Sequence, residues 1–284
     1  MSFNVDQYGY ADRTGDGQAN DPKPEASRDA VLTIIAETAP DILALQEMGH
    51  EEVFQQFQEA LEAKGLSYPF AELLMQEGSD AHLAVLSRYP ITSVYQRLDD
   101  IYTMGDAQLP VKRGFLELDI SISPHYSFRL INAQLKSKEY HPAGHTEMRR
   151  SEARLLNNHV RRALSRDRRL NLLVVGDLND HVGSAPLRTL MGNRQQYLID
   201  LRPADEYGES WTFFDADSDS YVRYDYLLAS AHMQPEFIED GSHVIRHPLN
   251  KLASARRPLF AVFRARDIDP GTTPLLPAHE LEDD

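Results

Sequence analysis

Four apolar runs of this chain stop on, or start from, a side chain that carries oxygen. Ser2-Phe3 ends at Asn4, the run from Ile42 to Gln46 ends at Glu47, and Leu172 to Gly176 ends at Asp177, with Asn179 two residues on. Tyr226 to Ser230 begins after Asp225. A carboxylate at the end of a buried strand loses its water and has to be paired or bound to a cation. One such ending is ordinary loop chemistry. Four oxygen-bearing ends on strands that can lie side by side point to one shared site, at the sheet edge where α/β folds place their chemistry. Each residue also has a plain structural alternative. Glu47 can pair with an arginine, Asn4 can cap a turn, and Asp177 with Asn179 can turn a hairpin.

The periodicity around these ends supplies a scaffold. Helices are expected through AVLTIIAET, capped by Ser27 or Asp29 and ended by Pro40, and through EEVFQQFQEALEAKG with Gly65 as its C-cap. A third is expected from Glu147 to Arg166, with Ala153, Leu156, Val160 and Leu164 facing inward. HLAVLSRYPI, FLELDISIS, SFRLINAQL and PLFAVFRA read as strands, and ESWTFF with YVRYDYLLAS as a strand pair. Many strands with a few interspersed helices predict two packed sheets with helices outside, as one domain over residues 1–266. Residues 267–284 read as an acidic, Pro-containing disordered tail.

Composition narrows the chemistry. There is no cysteine, so a metal would need oxygen or histidine ligands; the oxygen-only set suits Mg2+ or Mn2+ completed by water and a phosphate. A net charge of −15 disfavours nucleic acid as a partner. The basic run from Arg149 to Arg169 reads as a solvated helix face. No apolar run approaches the length of a membrane helix, and MSFNVDQYGY lacks the features of an export signal. The chain as written is therefore expected in the cytoplasm, as a monomer, and exported if its natural N-terminus is longer.

The segments LALQEM, AVLSRYPI, KRGFLELDI, INAQLKS, VVGDLND, VRYDYLLAS and SARRPLFAVF follow one another as the motifs of the endonuclease/exonuclease/phosphatase superfamily do. The resemblance, to the deoxyribonuclease-I-like fold, runs from Asn4 to Phe263. It implies a four-layer α/β sandwich of two mixed sheets, and a metal-dependent phosphoesterase ancestry. It also implies Glu47 as main metal ligand supported by Asn4, and Asp177 and Asn179 as the residues orienting water and phosphate. Asp225 would hold a catalytic histidine, and Arg113 would shape the site.

Two departures qualify that implication. Where the family has Ser-Asp-His in its last motif, this chain has Ser254-Ala255-Arg256, and where most relatives carry a loop histidine it has Gln134. Imidazole exchanges protons near neutrality, whereas a guanidinium stays charged and an amide cannot act as an acid. Arg256 can still grip a phosphate through its donor fork. Lost or strongly reduced hydrolysis is therefore expected, with retained binding of a phosphate-containing ligand. The alternatives are an active Mg/Mn-dependent phosphoesterase with a rearranged site, using metal-bound hydroxide with Asp177 and Arg256, and a non-catalytic phosphate- or nucleic-acid-binding module using the Arg149–Arg169 face. His141, His145 and His247 read as surface or loop histidines, though one of them could substitute for the missing histidine from another direction.

Overall fold

The computed structural model describes residues 1–192, 198–216 and 218–268; from residue 269 onward the expected tail lies outside the described residues. Two six-stranded sheets form the centre. The first runs in the order β17 (Phe237–Val244), β18 (Leu259–Phe263), β1 (Ser2–Asn4), β4 (Ile42–Met48), β6 (His82–Ser87), β5 (Phe70–Leu74). The second runs β13 (Leu198–Asp200), β16 (Asp225–Ser230), β12 (Leu172–Asp177), β11 (Tyr126–Gln134), β10 (Phe115–Ser123), β7 (Ile91–Arg97). Both are mixed: β1 with β4 and β11 with β12 pair in parallel among otherwise antiparallel neighbours. Three small antiparallel pairs decorate them: β2 (Tyr10–Ala11) with β3 (Asp21–Pro22), β8 (Ile101–Met104) with β9 (Ala107–Pro110), and β14 (Phe213–Asp215) with β15 (Ser220–Val222).

Apolar side chains fill three layers. Leu83, Val85, Leu118, Leu130, Leu173 and Leu227 meet between the sheets. Ile34, Ile35 and Phe57 of α1 (Glu25–Thr38) and α2 (Glu51–Ala63) cover the outer face of the first sheet with Leu43 and Leu45. Leu156 and Val160 of α3 (His145–Arg166), with Leu187 of α4 (Ala185–Met191), cover the second with Val174 and Leu228. Helix, sheet, sheet and helix make the four layers of an α/β sandwich, because each sheet has two apolar faces to bury.

Some boundaries differ from the sequence expectation, for local reasons. Helix α1 starts at Glu25 behind Pro24, whose fixed φ prepares the first turn without a side-chain cap, so neither Ser27 nor Asp29 caps it. Gly65 takes a left-handed φ of 84° one residue beyond the C-cap Lys64. The expected ESWTFF/YVRYDYLLAS pair splits into the β14–β15 hairpin and strand β16, since Thr212 Oγ1 accepts the N–H groups of Tyr224 (3.1 Å) and Asp225 (3.2 Å) between them. The basic helix is not uniformly solvated. Arg149 is 1% exposed and donates from Nε to Asp180 Oδ2 at 2.8 Å, while Arg150, Arg154, Arg161, Arg162 and Arg166 face solvent.

Candidate active site

Two backbone devices aim the carboxylates. The β4–β6 register slips between Gln46 and Met48, so Glu47 sits on a β-bulge with a left-handed φ of 63°. Bulges re-aim a side chain, and a non-glycine residue at positive φ stores strain that the surrounding structure must hold. On β12, Gly176 has φ 131° and lies against Ala133 of β11; a Cβ there would stand 1.9 Å from the Ala133 carbonyl oxygen. Only glycine fits, and its close approach carries Asp177 to the inner end of the site.

Around these two acids the side chains interlock. Asn4 Nδ2 donates to Glu47 Oε1 at 3.0 Å and to Asp177 Oδ2 at 2.9 Å, joining the two sheets. Gln134 Nε2 donates to Glu47 Oε1 at 2.6 Å, and the Gln7 N–H to Oε2 at 3.1 Å. Arg256 donates to Asp177 Oδ2 from Nε (3.1 Å) and Nη2 (2.9 Å), and from Nη2 to Asn179 Oδ1 at 2.9 Å. Its guanidinium carbon lies 4.2 Å from the ring centre of Phe213 and 5.1 Å from that of Tyr224. Ser254 fixes the approach: its Oγ donates to the Asn4 carbonyl at 2.7 Å and accepts the Arg256 N–H at 2.9 Å. The neighbouring Arg257 points elsewhere, donating to Asp205 at 2.8 Å over the Trp211 ring. The adjacent arginines thus divide between the site and the scaffold.

Electrostatics follow from that packing. Burial alone would push the Glu47 carboxyl up, but the Arg113 charge, the Asn4 and Gln134 hydrogen bonds and the Arg256 charge outweigh it, leaving its pKa below the ordinary value. Asp225 goes the other way: burial, and then the Asp177 charge facing it across the β12–β16 ladder, raise it well above the ordinary value. Arg256 Nε, 3.9 Å from Asp225 Oδ2, does not offset this. Asp225 therefore holds its proton to higher pH than an ordinary carboxyl does. Burial works against the charge on Arg256, yet Asp177 and Asp225 overcome it and push its pKa further up, so it is a permanent cation.

The structure brings Asn4, Glu47, Gln134, Asp177, Asn179, Asp225 and Arg256 into one connected cluster, with Arg113 close enough to act on Glu47 by its charge. Ala255 stands exposed beside it. His247 is elsewhere, with Nε2 3.0 Å from Glu37, while His141 and His145 make only short-range contacts within their loop and helix start. Sequence reasoning missed Arg149, Glu152 and Asp180. These lock the loop after Gln134: Glu152 Oε2 accepts the Lys136 N–H at 2.6 Å, and Arg149 Nη1 donates to the Lys136 carbonyl at 3.0 Å. The signal for Arg149 and Glu152 was present as charges on the inward stripe of α3, where only paired charges survive burial.

Among the described residues no group of three or more His, Cys, Asp or Glu side chains converges as a metal cage. Asp177 Oδ2 already accepts three N–H donors, whereas Glu47 Oε2 accepts one and its side chain is half-buried. The donor set therefore fits a single hard cation at Glu47 that keeps most of its water and shares a phosphate. It does not fit one bridging Glu47 and Asp177.

A family model described as the Endonuclease/Exonuclease/phosphatase family matches residues 1–245. Solved structures repeat the architecture. A conserved protein of unknown function from Enterococcus faecalis V583 is 14% identical over 93% of this chain and 98% of its own, with a TM-score of 0.65. An AP endonuclease from Archaeoglobus fulgidus is 17% identical over 92% and 97%, TM-score 0.62. A beta toxin mutant from Staphylococcus aureus, solved with bound magnesium ions, is 16% identical over 94% and 96%, also at 0.62. No curated protein matches the chain. At these identities the solved structures speak for the fold.

Proposed function

The chain belongs to the Endonuclease/Exonuclease/phosphatase family, and we propose that it binds a phosphate-bearing ligand at the Glu47–Asp177–Arg256 cluster while hydrolysing phosphoesters only slowly. One observation carries this reading: Arg256 grips Asp177 and Asn179 and keeps a further donor, Nη1, buried and without an acceptor. A buried unpaired N–H costs about 1–3 kcal/mol, and a phosphate oxygen removes that cost. Arg113 Nε is a second such donor. Two guanidinium donors of this kind suit an oxyanion.

Turnover is a different demand. A magnesium ion at Glu47 would supply charge neutralisation at the phosphate. Asn4 and Gln134 hold the Glu47 carboxylate in place, and Asn179 presents its amide oxygen to Arg256 rather than to a water. Neither Arg256 nor Gln134 can exchange a proton near neutral pH, and Asp177 is occupied by Arg256. A missing, positioned acid–base group reduces rate by ~10²–10⁴-fold. The test is twofold. Calorimetric titration with inorganic phosphate should show binding that Arg256→Ala abolishes. The double variant Ala255→Asp/Arg256→His should hydrolyse a generic phosphodiester in Mg2+ or Mn2+ faster than wild type, with Glu47→Ala as the silent control. No phosphate binding, or a wild type already as fast as the double variant, defeats the proposal.

A further inference from the structure

The loop beyond Asn179 holds a pair of residues that the phosphate site does not use. Asp180 is 3% exposed and locked by Arg149, which donates from Nε to its Oδ2 at 2.8 Å. Its other oxygen, Oδ1, accepts the His181 N–H at 3.0 Å and lies 3.1 Å from His181 Nδ1. The imidazole itself is 64% exposed. A buried carboxylate, itself fixed by a buried cation, thus faces Nδ1 and leaves Nε2 for whatever enters from solvent. This is the geometry of an oriented acid–base histidine. The Tyr226 hydroxyl, donating to the Asp180 carbonyl at 2.9 Å, pins the same loop from β16. The pair sits one to two residues past Asn179, whose side chain Arg256 contacts. His141, His145 and His247 lack such a locked carboxylate on Nδ1.

We propose that His181, oriented by Asp180, is the general acid through which the residual phosphoester hydrolysis of this chain proceeds, replacing the proton exchange that Arg256 and Gln134 cannot perform. This rests on the phosphate-binding reading above. In the step, a water oxygen forms the new bond to phosphorus and releases its proton to solvent. The bond from phosphorus to the leaving-group oxygen breaks, its electron pair stays on that oxygen, and the oxygen takes the proton from His181 Nε2. Solvent then reprotonates the imidazole. The charged neighbours at this loop are Asp180 and its partner Arg149; both act by their charge on His145, as do Lys136 and Lys138.

The distinguishing experiment compares two diesters in the presence of Mn2+. One has a p-nitrophenolate leaving group, which departs without a proton, and the other an alkoxide, which requires one. His181→Asn should lose on the order of 10²-fold on the alkyl ester and little on the nitrophenyl ester. His181→Gly should recover alkyl ester cleavage with added imidazole. Equal losses on both esters, no loss on either, or a wild type that never cleaves the alkyl ester overturns the assignment. Inorganic phosphate affinity, abolished in Arg256→Ala and unchanged in His181→Asn, separates failure of this assignment from failure of the binding site itself.

Discussion

The two ends of the sandwich bury carboxylates by opposite means. At the end formed by Asn4, Glu47 and Asp177, guanidinium groups accompany the acids, and Glu47 keeps its charge despite its surroundings. At the other end lies an apolar cavity of about 210 Å³, lined by Ile42, Phe128, Leu173, Leu227 and Phe260. Toward that end Glu236 is fully buried, and the charge that acts on it is that of Asp267. Burial pushes Glu236 up to about 7; the hydrogen bonds from Tyr126 and Asn171 offset only part of it, and Asp267 adds to the rise. The same residue class thus stays an anion at Glu47, where Arg113 and Arg256 outweigh burial, and holds its proton to higher pH at Glu236, where hydrogen bonds offset burial only in part; Asp225 sides with Glu236 because the Asp177 charge faces it. Desolvation sets the default, and a fixed positive charge is what reverses it.

The harshest way to break this contrast is Arg256→Ala. It strands Asp177 without its cation and should destabilise the fold by about 3–5 kcal/mol, read as a drop in Tm. Millimolar Mg2+ should raise Tm more in the variant than in wild type, since only the variant frees Asp177 for an ion in addition to Glu47. A smaller effect is expected at the opposite end: Tyr126→Phe removes the hydroxyl that donates to Glu236 and should cost about 1–3 kcal/mol.

The contrast sharpens with pH. The unfolded chain releases the Glu236 proton near 4.5, whereas the fold holds it to about 7. The stability this proton contributes is complete below the lower value and is lost as pH rises through the higher one. Glu236→Gln should therefore remain flatter than wild type in Tm as pH rises toward 8. Asp225→Asn is the gentlest change: Asp225 holds its proton to higher pH than an ordinary carboxyl, so its amide isostere should lose less Tm than wild type as pH rises above the ordinary carboxyl range. Matching pH curves for variant and parent would rule out the raised pKa in either case.

Much of the scaffold was legible because strands and helices bury faces with fixed periods. ILALQEM and LLVVGD announced central strands, and the inward stripe of α3 announced a packed helix. Strands of two or three residues, such as β2, β3 and β13, have no room for a period to show. The site was legible as a set of residue types at strand ends, but not as a circuit. Which amide reaches which oxygen depends on the Glu47 bulge and on the Gly176 contact, and neither leaves a repeating trace. Arg149 and Arg150 are neighbours of identical composition, one buried and one exposed; only the helix angle and the position of Asp180 tell them apart. The Asp180–His181 pair escaped notice because adjacent residues rarely form a working dyad without a third group to hold the carboxylate.

The ring centres of Phe213 and Tyr224 stand 5.5 Å apart and both lie to one side of the Arg256 guanidinium. A flat cation and a flat imidazole present similar outlines to such an aromatic wall, so it discriminates little between them. A lineage could cross from one head group to the other, in either direction, without rebuilding the enclosure.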